Sequence, residues 1–152
     1  MYKNILVPTD GSDISQQAVD AALGFARCCG SRIVALSVAE PYPSVPVADG
    51  ALVIDPGVDS RELQAEARDR VEKIARAARD AGIECTTVVA LSFRPHEEII
   101  AAAQKYHCDV IFMASHGRRG LSRLLAGSET QKVLAYAPVP VLVLRPPTPE
   151  SG

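Results

Sequence analysis

Five short apolar runs, separated by segments of helical period, constrain this chain more than any other feature. The runs are Lys3–Pro8, Arg32–Val38, Glu84–Leu91, Asp109–Ala114 and Val141–Leu144. Each is too short for a helix of ordinary length and apolar enough for a strand covered on both faces. Between the first two, Ile14, Ala18, Ala22, Phe25 and Cys29 fall on one helix face, with Ser12 or Asp13 as the cap and Gly30 as the stop. A second helix begins near Asp59 or Ser60, where Asp59 and Glu62 have capping-box spacing. Its buried stripe is Leu63, Ala67, Val71, Ile74, Ala78 and Ala81. Its opposite face, with Glu66–Arg70, Asp69–Lys73 and Glu72–Arg76, reads as solvated. Pro95 opens a third helix that buries Ile99, Ala103 and Tyr106. A fourth starts near Gly127-Ser128, uses Val133, Leu134 and Ala137, and ends at Pro138-Val139-Pro140. The order β-α-β-α-β-α-β-α-β defines an α/β domain, a parallel sheet with helices on both faces and right-handed crossovers. Residues 1–145 form that single domain, and 146–152, rich in proline, read as a disordered tail.

One segment does not fit the alternation. Ala39 to Val58 holds Pro41, Pro43, Pro46 and Pro56, carries little charge and is longer than the usual connection. It reads as a partly ordered excursion over the site end of the sheet, either a lid or a tolerated insertion.

Composition narrows the function. The chain has 152 residues, a net charge of −2 and 5% aromatic residues. A nucleic-acid binder would show a basic footprint or stacking aromatics, so neither duplex nor single strands are expected partners. No apolar run approaches the ~20 residues of a membrane span, and the N-terminus lacks signal-peptide character. A cytoplasmic protein is expected. Cys28, Cys29, Cys85 and Cys108 form no CxxC pair, and only His96, His107 and His116 could assist them, so no metal site is expected. Buried reduced thiols are the expected state. The adjacent acids Glu97 and Glu98 point about 100° apart on a helix and suit its N-terminal dipole better than catalysis.

Ligands of parallel α/β sheets bind outside the carboxyl ends of the strands, where strand order reverses. That rule selects Pro8-Thr9-Asp10, Val38-Ala39 and Ser115 to Ser128. The last stretch is a glycine-rich, basic loop that ends at a helix start. Gly117, Gly120 and Gly127 allow close backbone approach, and Gly127-Ser128 would offer N–H groups to an anion. The same glycines also serve as plain turn and capping residues.

Taken together, these segments resemble the universal stress protein family, from Ile5-Leu6-Val7-Pro8-Thr9-Asp10-Gly11-Ser12 to Pro140-Val141-Leu142-Val143-Leu144. ATP-binding members carry Gly-x2-Gly-x9-Gly-(Ser/Thr). Here Gly117, Gly127 and Ser128 match with the nine-residue spacing intact, and Ala114 stands at the first glycine. The resemblance implies a Rossmann-like fold of the adenine nucleotide alpha hydrolase type, with strand order 3-2-1-4-5. It implies ATP, ADP or AMP as ligand, with Mg²⁺ to offset the charge of Glu129. Pro8, Thr9 and Val38 would line the adenine pocket, and Asp10 would accept from ribose hydroxyls. Gly117, Gly127, Ser128 and the Glu129 backbone would hold the phosphates, with Arg118 and Arg119 neutralising charge. Met113 and Ala114 complete the set at the strand end, and His116 would shape the loop. A homodimer through Val141–Leu144 is also implied. Asp10 serves equally as a turn residue, and Arg118 and Arg119 as surface residues.

The loop is not a Walker A motif, because no lysine follows a glycine. No general base for a γ-phosphate is evident, so at most slow hydrolysis is expected. The first function is thus a nucleotide-dependent stress-response or signalling module. The alternative, favoured by Ala114, is a homodimeric interaction module that binds no ATP. An enzyme such as a nucleotidyl transferase on the same architecture is a third reading, and no catalytic constellation supports it.

Overall fold

The computed structural model describes residues 2–41, 44–46, 52–54, 59–115 and 127–146, with backbone alone at 44–46 and 52–54. Its elements run β1 (Asn4–Pro8), α1 (Asp13–Cys29), β2 (Arg32–Ala39), β3 (Ser44–Pro46), β4 (Leu52–Ile54), α2 (Ser60–Asp80), β5 (Cys85–Leu91), α3 (Pro95–Lys105), β6 (Val110–Ala114), α4 (Ser128–Tyr136) and β7 (Val141–Leu144). Five strands form one parallel sheet in the order β5-β2-β1-β6-β7. Counted along the sheet strands alone, that is the expected 3-2-1-4-5.

Period-two alternation divides the core into two layers. Ile5, Val7, Ile33, Ala35, Val110 and Phe112 face α1 and α2, whose Val19, Ala22, Val71 and Ile74 pack against them. Leu6, Val34, Leu36, Ile111 and Met113 face the other way, toward Ile99, Ala102 and Ala103 of α3 and Val133 of α4. Every residue of β6 is buried, as a central parallel strand requires.

The helix ends follow local chemistry. The Ser12 side chain accepts from the Ser15 N–H at 3.3 Å, and Gly30 closes α1 in the left-handed region at φ 67°. Asp59 caps α2 by accepting from the Arg61 N–H at 2.9 Å. Pro95 occupies the first position of α3.

Three expectations are corrected, and the partly ordered excursion gains a structure of its own. The excursion between β2 and α2 contains a two-stranded antiparallel pair, Ser44 opposite Ile54 and Pro46 opposite Leu52. Whether it covers the site depends on residues 42–58, whose side chains lie outside the described residues. The buried stripe of α1 is Ser15, Ala18, Val19, Ala22 and Ala26. Ile14, Phe25 and Cys29 sit at its margin, half-buried, because the sheet meets the helix one position round from the face first drawn. In α4 the buried positions are Thr130 and Val133, and Leu134 is exposed. The cysteines are all free, but only Cys108 is buried. Burial, the larger cause, and neighbouring Asp109 push its thiol up to about 11. Cys85 is also raised to about 11, chiefly by burial.

Candidate functional site: a cleft at the switch point of the sheet

From β1 the chain winds to β2 and β5 on one side, then crosses to β6 and β7 on the other. Strand order therefore reverses between β1 and β6. A cleft of about 520 Å³ opens at their carboxyl ends, within the size range of small-molecule sites. Pro8, Thr9, Asp10, Val38, Met113, Ala114, Gly127, Ser128 and Glu129 all line it. His116, Gly117, Arg118 and Arg119 lie outside the described residues.

The turn after β1 is tightly wired. The Thr9 N–H donates to the Leu36 carbonyl at 2.8 Å, which ties the turn to β2. Thr9 Oγ1 lies 3.1 Å from Ser15 Oγ and accepts from the Gly11 N–H at 3.2 Å. Asp10 Oδ1 accepts from the Ser12 N–H at 2.9 Å and the Ser12 hydroxyl at 2.6 Å. Asp10 is thus a turn residue. The residue also lines the cleft.

Across the cleft, the helix α4 begins with Gly127 at its N-cap and no side-chain cap bond. The first turn of any helix has N–H groups without intrahelical partners. Gly127 itself donates to the Ser115 carbonyl at 2.6 Å, and Thr130 Oγ1 donates to the Ala114 carbonyl at 3.0 Å. These two bonds fix the helix start against the end of β6. Ala114 lies within β6, paired in register with Leu144. The one described non-glycine residue at positive φ is His107, so the backbone at Ala114 does not require glycine.

The Glu129 carboxylate stands on the cleft wall at this helix start, and its side chain is held there by α3 and by Lys132. Its Oε2 accepts from the His96 N–H at 2.9 Å and lies 3.0 Å from His96 Nδ1. Its Oε1 lies 3.2 Å from Lys132 Nζ. Arg94 at the N-cap of α3 supplies no side-chain cap, so Glu129 caps α3 from a neighbouring helix. Burial raises the Glu129 pKa, but the His96 and Lys132 bonds outweigh it and hold the carboxyl below its ordinary value. Sequence reasoning missed His96, since partners 33 residues apart leave no local pattern.

It also missed the wall from α2. Leu63, Glu66 and Arg70 line the cleft, together with Ser15, Glu40, Phe93, Pro95, Ile99 and Thr130. Arg70 was read as part of a solvated face. Its side chain is only 17% exposed and lies 3.5 Å from Glu66. The described wall holds four carboxylates (Asp10, Glu40, Glu66, Glu129) against one guanidinium. Among the described residues no cluster of three or more metal-ligating side chains occurs, and no helix is long and apolar enough to cross a membrane.

A doubly wound sheet with a cleft at its switch point defines the class as Rossmann-like α/β. Family comparison is more specific: the universal stress protein family model matches residues 1–145, and the chain belongs to that family. It is 33% identical to the universal stress protein MJ0531 of Methanocaldococcus jannaschii over 99% of this chain and 86% of that one. The solved structure of MJ0577, from the same organism's family set, superposes with a TM-score of 0.77 at 28% identity, covering 98% and 99% of the two chains. Two more distant structures share the fold at 19% identity. One is a universal stress protein in complex with cAMP, at a TM-score of 0.69 over 95% of this chain and 97% of that one. The other is the Archaeoglobus fulgidus protein in complex with dAMP, at 0.63 over 93% and 97%. Some relatives of this fold therefore bind adenine nucleotides.

Proposed function

We propose that this chain is a cytoplasmic ATP-binding universal stress protein, a nucleotide-dependent module with at most slow hydrolysis. The observation that carries the reading is convergence. Positions from the ends of β1, β2 and β6 and from the start of α4, far apart in the chain, line one cleft of nucleotide size. The adenine nucleotides bound by the two distant relatives support the ligand class. In this reading Pro8, Thr9, Val38 and Met113 enclose the base, and Asp10 accepts from the ribose hydroxyls. The α4 N-terminus meets the phosphates through the Ser128 and Glu129 N–H groups, with the side-chain-free Gly127 allowing close approach beside them, where both the first-turn donors and the helix dipole favour an anion. Gly117, Arg118 and Arg119 add backbone donors and positive charge, and His116 shapes the loop. Ala114 in ordinary strand geometry supports tolerance of the missing glycine. Among the described residues the cleft wall carries more carboxylates than guanidinium, which supports Mg²⁺ accompanying the nucleotide, since hard cations bridge phosphate and carboxylate oxygens.

The reading is tested by substitution. Gly127 has φ −57°, which any residue adopts, so Gly127→Val should keep the fold while crowding the phosphates. Gly127→Val and Asp10→Ala are each expected to weaken ATP binding by about tenfold or more, about 1.4 kcal/mol, in calorimetry. Unchanged affinity in both would move the site elsewhere. Phosphate release measured over hours separates slow hydrolysis from rapid turnover.

A further inference from the structure

Phe93 is the one aromatic side chain among the described residues that line the cleft. It is 66% exposed, more than any other described cleft-lining large apolar residue. Its backbone neighbours are both fixed. The Ser92 N–H donates to the Ala39 carbonyl at 3.0 Å, and the Arg94 N–H donates to Ser92 Oγ at 3.1 Å. Arg94 Nη1 in turn pairs with Glu97 at 3.0 Å. Ala39 and Leu91 are register partners, so residue 93 follows directly beyond the carboxyl end of β5, beside the end of β2. The start of α4 lies beyond β6, on the far side of β1. Three strand spacings separate β5 from β6, about 14 Å. That is a span for a ligand longer than phosphate alone. Val38, Pro95 and Ile99 add apolar lining to the same cleft.

We propose that Phe93 is the stacking platform for the nucleobase, an added affinity determinant of the site. The proposal rests on the reading of this cleft as a nucleotide site. Stacking on a base is tolerant of base identity because every base has a π-face. Phe93 therefore contributes affinity for the base-bearing end and nothing for the phosphates.

The chain contains no tryptophan, so Phe93→Trp installs a single indole at the contact. ATP titration should quench its emission saturably, with the midpoint that calorimetry gives for the same variant. Ribose 5-phosphate and tripolyphosphate, which lack a base, should leave the emission unchanged. Phe93→Ala should weaken ATP binding about tenfold, and Phe93→Leu, which keeps bulk without the π-face, should not restore it. Wild-type binding with Phe93→Ala unchanged, or Phe93→Trp binding ATP with no change in emission, overturns this proposal and leaves the nucleotide reading intact. A wild-type protein that gives no heat with ATP overturns both.

Discussion

Glu129 shows how one residue can look unfavourable in sequence and be accommodated in three dimensions. A carboxylate at the start of a helix proposed to hold phosphate should repel the ligand. Its hydrogen bonds to His96 and its contact with Lys132 supply donors that offset this charge where it stands on the cleft wall. Because its pKa is lowered on folding, the carboxylate contributes stability above its unfolded value, near 4.5, and that contribution is lost as pH falls through the lower folded value. Glu129→Gln should therefore lower the Tm near neutral pH. The gap from wild type should shrink below pH 4.5; thermal unfolding at both pH values checks it, and a constant gap would contradict the assignment. Residue roles of this kind were only partly legible. Asp10 and Gly127-Ser128 stand in local motifs and could be named from sequence. His96 could not, because its partner is contributed by a different helix. Arg70 was misread because i,i+4 spacing to Glu66 says which side chains meet and not which way their shared face points.

At the scale of elements, the boundaries follow signals written in the sequence: Ser12 and Asp59 at helix starts, Pro95 at the first helical position, Gly30 and Gly82 at the stops. Gly30 illustrates the energetics. A Cβ there would meet nothing within 4 Å, so the cost of Gly30→Ala is conformational. At φ 67° it should be about 1 kcal/mol, measured by denaturant unfolding with an unchanged m-value. In the core, Leu6 is wholly buried, and Leu6→Ala should cost about 2–5 kcal/mol. What the sequence left ambiguous was phase. In α1 the small residues Ser15, Ala18, Ala22 and Ala26 form the contact, with Val19. Two equally spaced stripes run along this helix, and the larger residues Ile14 and Phe25 belong to the one that lies at the margin of the contact. In α4 only Thr130 and Val133 are buried, since its nine residues make only about two and a half turns. The β3–β4 pair was hidden by prolines that read as loop.

For the whole molecule, the alternation of runs and helices was enough to derive a parallel α/β sheet, because so few topologies satisfy it. The order β5-β2-β1-β6-β7 came from the family resemblance and not from periodicity, which says nothing of which strand lies beside which. The sheet ends at β7, which among described residues pairs only with β6 and leaves Leu142 42% exposed. An uncovered apolar edge strand invites a second chain. We expect a homodimer through Val141–Leu144, and Leu142→Asp should convert it to monomer in light scattering. A wild-type monomer at micromolar concentration would contradict that assembly.

The central claim, that the cleft is an ATP site, is tested most directly by calorimetric titration of the wild-type chain with ATP and Mg²⁺, paired with a thermal shift. One site per chain is expected, with weaker binding when Mg²⁺ is chelated. Ligand at about a hundred times its Kd should stabilise the fold by about 2.7 kcal/mol. No heat and no thermal shift at millimolar ATP would contradict it and leave the nucleotide-free interaction module as the function of this chain.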